Sequence, residues 1–268
     1  MLKIIVPIKQ VPETGNVKMD PETGTMVRDG VVSIVNPLDL YSIETGLMLK
    51  EKFGATVTVL TMGPLNAVKA LKEAIAMGCD EGYILSDRAF AGADTWSTAY
   101  ALFNAIERIG DYDLILAGER ATDGDTGQVG PNIASGLDIP LATYVRKVND
   151  LDLEHKTITV ERSVEEGIET LQLPLPCLLT VVKEISYPRL PTLRGKKKAK
   201  TVEVPVLTAE DLGLNREYLG LKGSPTRVVS TKSPKVTRNG QMVKIKEDKD
   251  VGEAVDALIA FLEERQLI

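Results

Sequence analysis

Blocks of apolar and polar positions alternate along the first half of the chain and predict strands and helices in turn. Short apolar runs of strand length occur at 2–8, 56–62, 82–85 and 113–117. Apolar positions at helical spacing predict helices over 37–53, 65–77, 94–109 and 128–135. Asn36 is predicted to cap the first helix, Pro37 to occupy its first position, and Gly54 to end it. This alternation predicts βαβ units and therefore a mostly parallel, doubly wound, Rossmann-like α/β sheet.

The pattern changes after about residue 140. Residues 157–163 and 169–173 are predicted to be antiparallel strands joined by a turn at Glu165-Glu166-Gly167. They form an antiparallel extension of the sheet, and the apolar run 177–182 predicts one more strand. Near the amino terminus, Asp20-Pro21-Glu22-Thr23-Gly24 predicts a turn between two short extended pieces.

The chain from residue 186 onward is predicted to be an extended C-terminal arm that ends in a helix. Prolines interrupt this stretch, and a lysine run lies at 196–200. Near the end, apolar residues recur at helical spacing and form one stripe: Val251, Ala254, Val255, Leu258, Ile259 and Leu262. We therefore predict an α/β domain at 1–185 and an arm at 186–268. The stripe packs either on the chain's own core or on a partner subunit, and the pattern favours the partner.

Composition excludes several classes of function. The net charge of −6 and the aromatic content of 4% argue against nucleic-acid binding. Cys79 and Cys177 lie in apolar surroundings and are predicted to be buried thiols, and His155 is predicted to lie in a surface turn. No segment reaches the roughly 18 apolar residues of a membrane span, and the start has no signal-peptide pattern. We expect a cytoplasmic protein without membrane insertion or a metal site.

The main candidate for chemistry is the loop that follows the strand at 113–117. The chain has no G-x-S-x-G, G-K-[ST] or early G-x-G-x-x-G motif. This loop is rich in Gly, Asp and Thr and opens a helix, which is where α/β sheets bind ligands. Its candidate residues are Gly118, Arg120, Ala121, Thr122, Asp123, Gly124, Thr126, Gly127, Gln128 and Val129.

Two aspartates of this loop need a compensating charge if a phosphate is to bind there. Asp123 and Asp125 would repel an anion, so we expect Asp125 or Thr126 to cap the helix and Arg120 to offset charge. A plain capped loop that holds no ligand is the alternative.

Other strand ends should face the same side of the sheet as this loop. The candidates for the walls of an adenine-ribose pocket are Pro7, Ile8, Lys9, Asn36, Asp39 and Met62. A second nucleotide could lie at the start of the helix at 94–109, with Ala91 and Asp94 beside it and Thr95 and helix N–H groups near a phosphate. The alternative is a simple helix cap.

The stretch from Val160 to Cys177 resembles the signature of electron-transferring flavoprotein β subunits. Further stretches resemble the same family, namely 6–12, 36–39, 77–80 and Leu190-Pro191 before the lysine run. The resemblance implies an adenine-nucleotide-binding α/β domain whose arm embraces an α subunit in a heterodimer. In respiratory members the β subunit binds AMP, and the matching positions are Pro7, 36–39, Met62 and 118–129. Residues 167–174 resemble a loop that docks onto dehydrogenases, with Glu169 and Leu171 as contacts.

The loop at 123–131 departs from the AMP-binding members. It resembles the form found in electron-bifurcating members, which bind FAD in place of AMP. That resemblance implies that FAD accepts a hydride from NADH. One electron then passes to ferredoxin or flavodoxin, and the other passes through the FAD of the α subunit to an acyl-CoA or lactate-type dehydrogenase. Confurcation runs the same steps backward.

Two rival interpretations remain open. In the first, the subunit is non-bifurcating, holds structural AMP and carries electrons from dehydrogenases. In the second, the chain is a stand-alone adenine-nucleotide binder of the stress-protein type. The glycines at 124 and 127 favour the bifurcating form over the first rival, and the terminal stripe argues against the second. Under the leading interpretation the chain is the redox subunit of an oxidoreductase complex.

Overall fold

The computed structural model describes residues 1–13, 18–19, 26–27, 32–229, 242–245, 247 and 249–268, with the backbone alone at 18–19, 26–27 and 249. The strands, in chain order, are β1 (Lys3–Pro7), β2 (Gln10–Pro12), β3 (Lys18–Met19), β4 (Met26–Val27), β5 (Ser33–Val35), β6 (Thr56–Met62), β7 (Glu81–Leu85), β8 (Leu114–Gly118), β9 (Leu141–Asp152), β10 (Thr157–Val164), β11 (Gly167–Pro174), β12 (Cys177–Val181) and β13 (Val206–Leu207). The helices are α1 (Asp39–Phe53), α2 (Val68–Met77), α3 (Thr95–Ile109), α4 (Val129–Gly136), α5 (Leu193–Thr201), α6 (Gly220–Gly223) and α7 (Lys249–Glu264).

The large sheet has nine strands in the order β11-β10-β9-β12-β8-β1-β6-β7-β13. From β9 to β13 all neighbours are parallel, whereas β9, β10 and β11 are antiparallel. The predicted mostly parallel α/β sheet with an antiparallel extension is therefore confirmed. The chain runs from β1 outward to β6 and β7 and then returns to β8 on the other side of β1. That reversal makes the carboxyl ends of β1 and β8 a topological switch point.

Apolar cores cover both faces of the sheet. One core contains Ile43 and Leu47 of α1 together with Leu71 and Ile75 of α2. The other core contains residues of α3 and α4, among them Ile106. Burial on both faces explains why the parallel strands appear in the sequence as continuous apolar runs.

The first helix ends where predicted but begins later. Gly54 follows α1 with a φ of 68°, a left-handed conformation that suits glycine. The predicted cap at Asn36 and first position at Pro37 are wrong, because α1 begins at Asp39 and its preceding residue makes no side-chain cap. The Asn36 side chain is engaged elsewhere: its Nδ2 donates to Asp39 Oδ1 at 2.9 Å and also to a distant loop.

Strand β9 has no counterpart in the predicted elements. It is 12 residues long, and its burial does not alternate regularly. Its polar residues resemble a loop in sequence, and the pairing register shifts between β9 and β10 and between β9 and β12. The tertiary position of β9 between β10 and β12 therefore outweighs the weak local pattern.

The predicted turn at 20–24 lies outside the described residues. The flanking pieces β3 and β4 are antiparallel neighbours, with Lys18 opposite Val27. The predicted β10–β11 hairpin is confirmed, with Val164 opposite Gly167 at its closed end.

The chain divides into two compact units, Met1–Ser230 and Thr231–Ile268. The boundary predicted at residue 185 falls inside the first unit. Within that unit β13 extends the sheet beyond β7, and the lysine run forms α5 instead of an extended segment. Thr192 caps α5 by accepting from the Gly195 N–H at 2.9 Å, and Ala199 is buried. Lysine and alanine favour helix once such a cap is present.

The second unit contains α7, and its stripe is the one predicted from the sequence. Several of its apolar side chains are exposed: Val251, Val255, Leu258 and Ile259. A single helix cannot bury its own apolar face, so this stripe requires another surface to cover it.

Candidate functional site

A cavity of about 740 Å³ lies at the carboxyl ends of β1, β6, β7 and β8. Parallel strands place these ends at one edge of the sheet, beside the switch point. The volume falls within the range of about 300–1,000 Å³ that is usual for small-molecule sites.

Most of the predicted site residues line this cavity. They are Pro7, Ile8, Lys9, Asp39, Met62, Ala91, Asp94, Thr95, Gly118, Arg120, Ala121, Gly124, Thr126, Gly127, Gln128 and Val129. The predicted residues that do not line the cavity are Asn36, Thr122 and Asp123. Asn36 and Asp123 contact the lining residues Asp39 and Lys9, and Thr122 donates to Asn36. The sequence prediction did not name 86–88, which lines the cavity at the end of β7. The same strand-end argument that found Pro7 and Met62 could have found this segment.

Asn36 joins the loop at 120–122 to the start of α1. Its Nδ2 donates to the Arg120 carbonyl at 2.9 Å, and its Oδ1 accepts from the Thr122 N–H at 3.2 Å. Its own N–H donates to the Lys9 carbonyl at 2.8 Å. Asn36 is fully buried. The side chain and the backbone N–H of Asn36 together therefore fix three strand ends to one another, so Asn36 positions residues of the site.

Asp39 lies at the floor of the cavity and is nearly buried. Burial raises its pKa to about 7, although hydrogen bonds from the Lys9 N–H and from Asn36 act in the opposite direction. Lys9 and Asp123 are the charged groups that act on it. A Cβ at position 118 would collide with Asp39 Oδ1, so Gly118 is needed for this close approach.

The aspartates of the glycine-rich loop are neutralised by neighbouring cations. Lys9 Nζ lies 2.7 Å from Asp123 Oδ1, and Arg120 Nε lies 3.2 Å from Asp125 Oδ1. The expected compensation by Arg120 is therefore present. The expected helix cap is wrong: the residue before α4 is Gln128, and no side chain caps that helix.

The α4 side of the cavity offers unused backbone donors. Among the described residues, none accepts a hydrogen bond from the backbone N–H groups of 126–130. A Cβ at Gly124 would meet nothing within 4 Å, and Gly127 has a φ of 63°. Free N–H groups at a helix start beside glycines suit an anionic group such as a phosphate.

The α3 side of the cavity is different. Asp94 caps α3 by accepting from the N–H groups of Trp96 and Ser97 at 3.1 and 3.0 Å. Its other oxygen accepts from the Thr226 N–H and hydroxyl at 2.9 and 2.8 Å. Partial burial acts to raise the pKa of Asp94, but these hydrogen bonds outweigh it and lower that pKa. Two of the first N–H groups of α3, which were expected near a phosphate, are therefore engaged by Asp94.

Thr95 connects the two sides of the cavity. Its hydroxyl donates to Gln128 Oε1 at 2.9 Å, which links the start of α3 to the start of α4. The neighbouring Trp96 is not among the residues that line the cavity, and it stacks on Tyr100 with ring centroids 5.9 Å apart. Tyr218 packs edge-on against both rings.

The predicted docking residues lie on the β10–β11 hairpin, away from the cavity lining. Glu169 is 3.6 Å from Arg162 in an ion pair. Leu171 is half-buried and packs against the apolar core, whereas Ile168 near the hairpin tip is 55% exposed. Three other apolar side chains are almost fully exposed: Tyr187, Leu190 and Leu193.

The predictions for the two cysteines and for the histidine are confirmed. Cys79 and Cys177 are free and buried, and burial raises the pKa of each thiol to about 12. His155 is exposed beside Asp152 in the β9–β10 turn. In the described part of the chain no cluster of potential metal ligands occurs. Among the helices described, none has both the length and the apolar character to cross a membrane.

The sheet and cavity define a doubly wound α/β protein with a ligand-sized site at its switch point. The electron transfer flavoprotein domain matches residues 23–212. The electron transfer flavoprotein subunit beta of Thermoanaerobacterium thermosaccharolyticum is 48% identical over 268 residues and is covered completely, as is this chain. The caffeyl-CoA reductase-Etf complex subunit CarD of Acetobacterium woodii is 44% identical, again over 100% of both chains. Protein FixA of Azotobacter vinelandii is 41% identical over 96% of this chain and 93% of its own length.

These matches are extensive enough to assign the family. The chain belongs to the electron transfer flavoprotein family, as a β subunit. A β subunit works with an α subunit, and the role of this family is electron transfer that involves flavin.

Proposed function

We propose that this subunit holds FAD in the cavity and binds NADH beside it, as part of an electron-bifurcating or electron-confurcating heterodimer. The observation that carries this proposal is the continuity of the cavity. The loop at 118–130 and the segment at 86–95 line one space of about 740 Å³. Two regions that the sequence suggested separately as nucleotide sites are therefore adjacent.

The residues on the α4 side fit the diphosphate of FAD. The N–H groups of 126–130 have no acceptor in the described part of the chain, and the nearby aspartates are already paired. FAD contains the whole of AMP together with a second phosphate, a ribityl chain and the flavin ring. The open space at Gly124 gives room beyond a first phosphate, which favours FAD over AMP.

The name of one relative also supports a complex with a partner enzyme. This relative belongs by name to a caffeyl-CoA reductase-Etf complex, in which an electron transfer flavoprotein accompanies a reductase. We extend this to the present chain as a complex with an acyl-CoA or lactate-type dehydrogenase and with ferredoxin or flavodoxin as the second acceptor.

The chain's own contribution is binding and orientation. When bound, FAD supplies the redox chemistry by accepting a hydride from NADH and passing electrons on singly. Asn36 holds the loop at 120–122 in place, and Lys9 and Arg120 neutralise its carboxylates. The hydroxyl of Thr95 and the side chain of Gln128 hold the two helix starts together.

The test is the cofactor content of the purified αβ heterodimer. The proposal expects a flavin on the β subunit in addition to that of the α subunit, and reduction of flavin by NADH. A heterodimer that carries AMP and no β-bound flavin, or one whose flavin NADH does not reduce, would contradict the proposal. The AMP outcome would identify a non-bifurcating β subunit.

A further inference from the structure

We infer that Arg88 binds the diphosphate of the nicotinamide dinucleotide on the α3 side of the cavity. The inference rests on the proposed function, because it assigns a phosphate-binding residue to the second nucleotide. Sequence reasoning assigned that role to Thr95 and to the N–H groups of α3.

The cations that line the cavity differ in whether they are already paired. Among the described residues these are Lys9, Arg88 and Arg120. Lys9 is paired with Asp123, and Arg120 lies within 3.5 Å of both Glu119 and Asp125. Arg88 is exposed and forms no ion pair within the described ranges. Its guanidinium is therefore available to an anionic ligand.

Free backbone donors are few on the α3 side of the cavity. The N–H groups of 89–91, 93–94 and 96–98 all have acceptors within the protein. Between residues 89 and 98, only the N–H groups of Gly92 and Thr95 have no acceptor among the described residues. The α4 side, in contrast, has five consecutive unused N–H groups at 126–130. A phosphate on the α3 side consequently depends on a side-chain cation.

Hydrogen bonds to Asp87 anchor the backbone next to position 88. Asp87 caps the turn at 88–90 by accepting from the Ala89 N–H at 2.9 Å, and it also accepts from the Ala209 N–H at 3.2 Å. The hydrogen bond from Ala89 is the main cause of the lowered pKa of Asp87. Partial burial acts in the opposite direction, and the hydrogen bond from Ala209 lowers the pKa further. Both carboxylate oxygens of Asp87 and of Asp94 thus accept hydrogen bonds from donors within the protein. Neither forms an ion pair with Arg88, which lines the same cavity as the segment at 91–95.

Guanidinium groups suit a diphosphate because their N–H donors form paired, charge-assisted hydrogen bonds. Lysine at this position would keep the charge and lose the paired geometry. Glutamine would lose the charge while keeping a polar side chain of similar length. The affinity for the dinucleotide should therefore fall stepwise from Arg to Lys to Gln at position 88.

The test uses the intact heterodimer and measures the dissociation constants of NADH and of ADP-ribose, the second by calorimetry. ADP-ribose carries the diphosphate without the nicotinamide ring, so its binding is independent of turnover. Arg88→Gln should raise both dissociation constants about tenfold or more. The dissociation constants of Arg88→Lys should lie between those of the wild type and those of Arg88→Gln. The flavin content of both variants should stay at the wild-type level. Binding to the wild type should also weaken with salt more steeply than binding to Arg88→Gln.

Arg108→Gln is the matched control, because Arg108 is exposed on α3 and does not line the cavity. If Arg88→Gln binds both ligands as tightly as Arg108→Gln does, the inference is overturned while the proposed function stands. If the wild type itself binds neither NADH nor ADP-ribose, the proposed function fails and the inference fails with it.

Discussion

At the scale of single residues, the cavity floor is organised by polar groups that hold one another. Asp39 accepts from the Lys9 N–H, and Asn36 donates both to Asp39 and to the loop at 120–122. A carboxyl buried in this way is costly to ionise, which is why its pKa lies near neutrality instead of near 3.8. Stability should therefore depend on pH through this residue.

We expect Asp39→Asn to change the pH dependence of unfolding. The folded-state pKa of Asp39 is raised, so its contribution to stability is fully present below its ordinary pKa of 3.8 and is lost as pH rises through about 7. Asparagine cannot ionise, so the Asp39→Asn variant does not lose stability in this way as pH rises. The free energy of unfolding of Asp39→Asn relative to wild type should therefore increase between about pH 5 and about pH 8. Urea unfolding across that range is the measurement.

Asp211→Asn serves as the control for this experiment. The pKa of Asp211 is lowered by hydrogen bonds from Thr208, so its contribution is lost only as pH falls. The difference in free energy of unfolding between Asp211→Asn and the wild type should therefore not change with pH over the same neutral range. A flat difference for Asp39→Asn as well would show that its carboxyl ionises normally.

Gly124 tests the assignment of the β-bound flavin. Its Cβ position is open, so Gly124→Ala should fold and bind as the wild type does. Gly124→Leu fills the space beyond the loop and should reduce β-bound flavin by about tenfold or more while the flavin of the α subunit remains. Flavin content after desalting measures both. If Gly124→Leu and Gly124→Ala retain the same amount of β-bound flavin, the diphosphate of the flavin does not lie beside Gly124.

The residue types of the site were predictable, whereas their partners were not. Gly118 and Met62 follow buried strands, and the strand-end rule places both at one edge. The pairing of Lys9 with Asp123 joins positions 114 residues apart, and no local pattern encodes such a contact. The same limit explains the wrong helix cap at Asn36, because its side chain is engaged by residues of a distant loop.

At the scale of elements, apolar runs predicted five of the parallel strands, namely β1, β6, β7, β8 and β12, and missed β9 and the two-residue strand β13. A strand buried on both faces is apolar throughout, so its signal is strong. Strand β9 lies where the sheet becomes antiparallel, and much of it is exposed and polar. Its strand conformation follows from pairing with β10 and β12, which short-range patterns do not report.

The β10–β11 hairpin provides a prediction about docking. Leu171→Ala should slow electron delivery to the partner dehydrogenase more than NADH oxidation with an artificial acceptor. It should also lower the free energy of unfolding by about 1–2 kcal/mol, because Leu171 is half-buried against the core. Parallel rate assays and urea unfolding of the heterodimer separate the two effects.

Leu193→Ala is the comparison variant for this experiment. Leu193 is 87% exposed, so its truncation should leave stability unchanged. If Leu193→Ala slows delivery and Leu171→Ala does not, the docking contact lies at 187–193 and not on the hairpin.

At the scale of the whole molecule, we predict that the apolar stripe of α7 packs on the α subunit. Leu258→Asp places a charge in the stripe and should reduce co-purification of the α subunit about tenfold or more. Glu253→Ala, on the same helix but outside the stripe, should have little effect. Recovery of the α subunit from a tagged chain is the measurement. Undiminished recovery with Leu258→Asp would show that the α subunit does not cover this helix face.

The position of Trp96 has a practical consequence for spectroscopy. The chain contains one tryptophan, and this residue follows Thr95, which lines the cavity. Its indole stacks on Tyr100 and is 40% exposed, so its emission is sensitive to small shifts at the start of α3. A bound flavin absorbs in the region where tryptophan emits and would quench this signal by energy transfer. The β subunit thus carries an intrinsic fluorescent reporter of cavity occupancy, which allows ligand exchange to be followed in real time without a label.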